Sequence, residues 1–280
     1  MLVQQVTIVG LGLIGGSLGM ALRRRGVAAR VVGVSRKPST LAEAQRRGAI
    51  DAGTRDAREA AQSADVVVLA TPVDAIVPEG RRLLPVMRAG SILTDAGSTK
   101  QQIVDGLAGC RPDVAFVGAH PLAGSEQRGI ASARADLFDG AACVVTSDRR
   151  TPRAAEQRIA RLWRAIGCRV VRLDPRTHDR CLAAVSHLPH TLAYSLMSAT
   201  PSEALRLAPR SFLEATRVAN SDPDLWDDIF LSNATAVLDA MDRFERPWQQ
   251  MRRMIRQGDR AGLRRWLAAA RRRRVGLDDR

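Results

Sequence analysis

The chain has 280 residues, 45 % of them hydrophobic, and a formal net charge of +14. That length allows two domains and a sizeable core, and no apolar run approaches the roughly 18 residues of a membrane span. Arginine supplies nearly all the positive charge, and no helix–turn–helix or zinc-finger spacing accompanies it, so neither a membrane nor nucleic acid is an expected partner.

The segment that opens the chain, "MLVQQVTIVG", has no basic run before its apolar residues and no small-residue cleavage site. It reads as a strand of the fold, and a cytoplasmic location is expected. Short β-branched runs follow at 6–10, 30–35, 65–71, 91–97, 114–120, 142–147 and 169–174. Amphipathic stretches such as "PVDAIVPEGRRLLPVMR" separate several of them. Continuous apolar strands alternating with helices predict a mostly parallel sheet covered on both faces. Beyond Pro175 the strand pattern stops, and residues 177–274 read as helices. One start signal is clear in "NSDPDLWDDIF", where Asp222 can cap a helix that has Pro223 in its first position. The expected architecture is therefore an α/β Rossmann-type domain over 1–174 and an all-α domain over 175–280. The helical part needs an apolar partner, which predicts a homodimer. Cys110, Cys143, Cys168 and Cys181 form no C-x-x-C pair and read as reduced core thiols; no metal site is expected.

The first strand runs into Gly10-Leu11-Gly12-Leu13-Ile14-Gly15. This G-x-G-x-x-G follows a strand and opens a helix, the context a dinucleotide pyrophosphate requires. Gly10 permits the tight turn, Gly12 admits the phosphates, and Gly15 allows close helix packing, with Leu13 and Ile14 at the positive end of the helix dipole. Thr71, closing the strand 65–71, completes the expected cofactor contacts. An NAD site wants an acid about 20 residues further on, to bond the ribose hydroxyls. Here that position holds Ser35, followed by Arg36 and Lys37. A hydroxyl and two cations suit a 2′-phosphate, which predicts NADP over NAD.

Only four histidines are present. His120 closes the strand 114–120 directly before Pro121, which keeps it extended at the carboxyl edge of the sheet. Ligands bind at that edge in open α/β sheets, and imidazole accepts protons near neutral pH. Ser98, in "TDAGSTK", belongs to the same edge as a helix cap, a substrate partner, or both. In "SHLPHTLAYSL", His187 and His190 share one helix face around Pro189. Arg217 precedes the capped helix, where a guanidinium can hold a carboxylate bidentately.

Five segments, "GLGLIGGSL", "TDAGSTK", "GAHPLAGSEQRG", "SHLPHTLA" and "TRVANSDPDLWDDIF", together resemble the prephenate and arogenate dehydrogenases of tyrosine biosynthesis, in that family's order and spacing. The resemblance implies a nucleotide-binding domain followed by a helical dimerisation domain. It also implies oxidative decarboxylation of a cyclohexadienol, yielding tyrosine from arogenate or 4-hydroxyphenylpyruvate from prephenate. His120 then matches the histidine that takes the ring-hydroxyl proton, and Ser98 the serine that bonds that hydroxyl. Arg217 matches the arginine that binds a substrate carboxylate. The histidine of "SHLP" falls on His187, with His190 the second candidate, and Glu126 falls on an acid at the pocket mouth. Phe212-Leu213-Glu214 stands where many members read "FRD". The rival readings are a β-hydroxyacid dehydrogenase and a non-catalytic NADP(H)-sensing or nucleic-acid-binding protein. The first uses a lysine where its domains join, and no lysine follows Lys100. The second has no need of a proton acceptor at the cofactor edge.

Overall fold

The structure is a computed structural model that describes residues 1–124 and 127–278. The chain divides into two compact units, Met1–Ala234 and Thr235–Arg280. Among its described residues the first contains eight strands, β1 (Val3–Val9), β2 (Ala28–Val34), β3 (Ala52–Thr54), β4 (Val66–Leu69), β5 (Ile92–Asp95), β6 (Ala115–Pro121), β7 (Ala142–Thr146) and β8 (Arg169–Leu173). Six helices accompany the sheet: α1 (Leu13–Arg24), α2 (Pro38–Arg46), α3 (Ala57–Gln62), α4 (Val73–Leu83), α5 (Gln101–Leu107) and α6 (Arg153–Ala165). Five more close the unit: α7 (Pro175–Leu182), α8 (Leu188–Ala199), α9 (Ser202–Leu205), α10 (Arg210–Thr216) and α11 (Pro223–Ser232).

The sheet order is β3-β2-β1-β4-β5-β6-β7-β8. Alternate residues of its strands feed two separate cores. Val66 and Val68 pack into the core that also buries Leu18 and Leu22 of α1 and Trp163 of α6. Val67 and Leu69 join Ala60 of α3, Ile76 of α4 and Ile103 of α5 on the other face. This period-two division explains why the strands read as unbroken apolar runs. All pairings are parallel except β6 with β7. The seven strands read from the sequence are all present, with ends displaced by at most three residues. The eighth, β3, is only three residues long and carries the small residues Ala52 and Gly53, too short for an alternation signal.

The expected helix start is also present: the Asp222 carboxylate accepts from Asp224 N at 2.9 Å, with Pro223 in the first turn. The thiols differ from expectation. Cys143 and Cys168 are buried, but Cys110 and Cys181 are exposed. Cys110 lies in the turn after α5, and Cys181 on the outward side of α7.

The second unit consists of α12 (Ala234–Arg256) and α13 (Arg260–Asp278), joined at Gly258 with φ +63°. Leu238, Met241, Trp248, Ile255 and Leu267 are exposed on these two helices. Among the described residues, no helix is long and apolar enough to cross a membrane.

Candidate active site

Strand order brings the site together. β1, β4, β5 and β6 are adjacent and parallel, so their carboxyl ends lie on one edge. Gly10 follows β1, Thr71 lies just past β4, Ser98 just past β5, and His120 ends β6. The order reverses between β1 and β4, the point at which a crevice opens in sheets of this kind. The crevice found there has a volume of about 1350 Å³ and is lined by Gly12, Thr71, Ser98, His120, His190 and Arg217, among others.

The glycine turn shows why each glycine stands where it does. Gly10 has φ +97°, and a Cβ there would lie 2.5 Å from the Ala70 carbonyl oxygen. A Cβ on Gly15 would strike the Gly10 carbonyl oxygen, so α1 can lie close against the end of β1 only with glycine. Among the described residues, nothing lies within 4 Å of the position a Cβ on Gly12 would take, and no side chain caps α1. A helix N-terminus with uncapped N–H groups facing open space fits a pyrophosphate. Leu13, Ile14 and Thr71 line the same crevice. Ser35 directly follows β2, whose last residue, Val34, accepts from Gly10 N at 3.1 Å. Arg36 and Lys37 are exposed beside it, and Lys37 N donates to Ser35 Oγ at 3.3 Å.

Below the crevice lies a buried charged network. Asp95 and Lys100 are both fully buried and form an ion pair. Asp95 also accepts from Gly97 N at 2.9 Å and from Ala119 N at 3.1 Å. One carboxylate thereby ties the loop carrying Ser98 to the strand residue before His120. Ser98 does not cap α5. Instead, Asp179 of α7 accepts from Lys100 N at 2.7 Å and Gln101 N at 2.8 Å, so the Ser98 hydroxyl is not spent on the helix.

Next to Asp179, His178 is fully buried. Its Nδ1 lies 2.8 Å from Asp179 Oδ1, and its Nε2 lies 2.9 Å from Nδ1 of His120. His120 is itself partly buried. Desolvation comes first, and the neighbouring His178 ring and the Lys100 charge act in the same direction, so its pKa lies well below the ordinary 6.5. His120 is therefore a neutral imidazole at physiological pH.

The facing wall is helical. Pro189 has no N–H to offer the turn before it, and the chain there widens into a π-helical turn over Ala183–His187 before α8 begins. His187 is only 1 % exposed, and its Nδ1 lies 3.2 Å from Asn233 Nδ2. Burial lowers its pKa to about 4. His190 is more open. It stacks on Trp226 with ring centroids 3.4 Å apart, and its Nδ1 donates to the Ser186 carbonyl at 2.9 Å. Arg217 is exposed at the end of α10, close enough to His190 for its charge to lower that ring's pKa further, after burial.

Residues 18–172 match the family model "Prephenate dehydrogenase, nucleotide-binding domain", and residues 174–269 match "Prephenate dehydrogenase, dimerization domain". The chain belongs to the prephenate dehydrogenase family. It is 35 % identical to the cyclohexadienyl dehydrogenase of Zymomonas mobilis, over 91 % of this chain and 90 % of that one. The crystal structure of Aquifex aeolicus prephenate dehydrogenase, in complex with hydroxyphenyl propionate and NAD+, superposes with TM-score 0.91. Its identity is 30 %, with 98 % of each chain covered. Synechocystis arogenate dehydrogenase gives TM-score 0.85 and 29 % identity over 98 % of this chain and 100 % of that one. The nucleotide-binding half of this prephenate dehydrogenase family member is thus an NAD(P)-binding dehydrogenase domain, and the enzyme is a prephenate/arogenate dehydrogenase.

Of the residues singled out from the sequence, the structure gathers Gly12, Leu13, Ile14, Thr71, Ser98, His120, His187, His190 and Arg217 around one crevice. Gly10 and Gly15 shape its floor from behind, and Ser35, Arg36 and Lys37 stand at the end of the neighbouring strand. Glu126 lies outside the described residues. His178, Asp179, Asp95, Lys100 and Trp226 were not singled out. His178, Asp179 and Trp226 sit in ordinary helical patterns, Asp95 ends a strand and Lys100 stands in the loop before α5, and only tertiary packing brings them to the site. Arg128 was also passed over; it pairs with Asp222 at the crevice.

Proposed function

We propose that the enzyme oxidatively decarboxylates arogenate, prephenate or both, with NADP preferred over NAD. The observation that carries this reading is the place of His120, at the carboxyl edge of a dinucleotide-binding sheet and in one crevice with Ser98 and Arg217, where burial holds its pKa low. Gly12, Leu13 and Ile14 hold the pyrophosphate. The bound dinucleotide supplies the hydride acceptor.

The protein's own groups do the rest. Nε2 of His120 takes the proton of the ring hydroxyl as hydride leaves the carbinol carbon, and Ser98 hydrogen-bonds the same oxygen. The bond to the ring carboxylate breaks, carbon dioxide leaves, and its electron pair completes the aromatic ring; the phenolate oxygen so formed takes the proton back from His120 Nε2, which restores the neutral base. Aromatisation makes that step strongly downhill, so the protein's task is alignment, a base and charge complementarity. Arg217 holds a carboxylate of the substrate. His190, more open than His187, is the histidine that reaches the substrate, while His187 packs edge-on against Trp226. Residues 175–280 supply the helical substrate wall and the homodimer contact, in keeping with the dimerization-domain match.

The test is reduced-nicotinamide absorbance with purified protein, each substrate and each nucleotide, in all four pairings. Turnover is expected, fastest with NADP; no turnover in any pairing refutes the reading. Two variants refine it. Arg217→Ala removes a charge-assisted bidentate contact and is expected to raise the substrate KM about 10- to 100-fold, with kcat changed little. An unchanged KM removes Arg217 from the site. In Arg36→Ala/Lys37→Ala, the ratio of kcat/KM with NADP to that with NAD is expected to fall about tenfold or more. The Aquifex relative holds NAD+, so an unchanged ratio would mean that this chain does not read the 2′-phosphate through these cations.

A further inference from the structure

His120 can act as a base only if its Nε2 carries a lone pair and its Nδ1 the proton. In a neutral imidazole, which nitrogen holds the proton is decided by what the other one meets. Here the decision passes along a chain of three buried or partly buried groups.

Asp179 is the starting point. As a carboxylate it only accepts, and it already takes two backbone N–H bonds, from Lys100 and Gln101. The 2.8 Å contact between His178 Nδ1 and Asp179 Oδ1 therefore requires the proton on His178 Nδ1. A neutral His178 is then an acceptor at Nε2. That nitrogen lies 2.9 Å from His120 Nδ1, which must donate to it. Nε2 of His120 is left bare, as the nitrogen available to the crevice. A cationic His178 would reverse the last step, because its Nε2–H would claim the Nδ1 lone pair and put a proton on His120 Nε2. Full burial and the neighbouring Lys100 ammonium disfavour that form, outweighing the pull of Asp179 and Asp95, so the His178 pKa lies below the ordinary 6.5.

We infer that His178, backed by Asp179, is a positioning residue that holds His120 in its Nδ1–H tautomer and so makes it a competent base. His178 is fully buried and is therefore a positioning residue, not a catalytic one. The fold makes the arrangement economical: one turn of α7 caps α5 through Asp179 and fixes the proton of His120 through His178. The inference rests on His120 being the proton acceptor proposed above.

Two experiments test it. The first needs no substrate. With four histidines in the chain, two-bond 1H–15N spectra of the 15N-histidine-labelled full-length protein resolve each ring, and the His178→Gln spectrum assigns His178. Both His120 and His178 are expected as neutral Nδ1–H tautomers at neutral pH. A His120 carrying its proton on Nε2, or a cationic His178, overturns the inference whatever the enzyme turns over. The second is kinetic. His178→Gln can place an amide oxygen near the former Nε2 and keep an acceptor for His120, whereas His178→Phe fills the space with none. His178→Phe is expected to lower kcat about 10- to 100-fold with KM and dinucleotide affinity within about twofold, and His178→Gln to recover most of the loss. Equal activity in Phe and Gln variants, at any level, refutes the positioning role. If no substrate is turned over, the function proposed above fails, and the spectra still decide the tautomer.

Discussion

Replacing His120 with asparagine is expected to lower kcat by about 10²–10⁴-fold, the usual contribution of a positioned general base, while dinucleotide affinity stays at the native level. Asparagine keeps a polar group of similar reach at the end of β6 but cannot accept and hold a proton. Stopped-flow or steady-state turnover measures the first quantity, and fluorescence titration with the reduced dinucleotide the second. Near-native turnover would remove His120 from the chemistry. A parallel loss of dinucleotide affinity would instead mean that the residue supports the cofactor site. The pH dependence gives an independent check. In the proposed role the neutral imidazole is the active form, and protonation on lowering the pH inactivates it. Because desolvation holds the His120 pKa well below 6.5, kcat/KM is expected to stay level through pH 6.5 and to fall only under more acidic conditions. The His120→Asn variant should lose that acid limb. A wild-type profile that already breaks near 7 would contradict a buried, neutral base.

The second large effect concerns stability. Lys100→Met is expected to destabilise the protein by about 3–5 kcal/mol, because it leaves the fully buried Asp95 carboxylate without its counter-ion. For a unit of this size, that corresponds to a fall in Tm of roughly 10 °C. The same change loosens the anchor of Gly97 N and Ala119 N, and with them the Ser98 loop and the approach to His120. Adding Asp95→Asn should restore much of the Tm, since a neutral amide costs far less to bury unpaired and its carbonyl can still accept from Ala119 N. Thermal unfolding followed by circular dichroism measures both variants. A single-variant Tm within about 2 °C of native, or a double variant no better than the single, would show that the pair does not carry the stability assigned to it.

Much of this protein is local and could therefore be read from the chain. The strands announce themselves as apolar runs because both sheet faces are covered. The glycine turn reads as a phosphate cradle because its requirements, a positive φ at Gly10 and no Cβ at Gly15, are properties of single residues. His120 and Ser98 were legible because they end strands, and strand ends on a parallel sheet share an edge. The helix beginning at Pro223 was legible because a cap is a contact between near neighbours.

What the chain alone could not supply are contacts between residues far apart in sequence. His178 and His120 are 58 positions apart, and Asp179 meets Lys100 across 79. Nothing in "RTHDRC" distinguishes His178 from a surface histidine at the start of a helix. Its role exists only because α7 docks on the N-terminus of α5. Likewise, the choice between His187 and His190 depends on which ring the packing buries and which stays open to the crevice. The sequence determined the fold class, the dinucleotide cradle and the place of His120 at the sheet edge, since each follows from backbone conformation and strand order. The tertiary structure decided which nitrogen of His120 holds the proton, because a tautomer is set by the partner across the interface and not by the residue's neighbours in the chain.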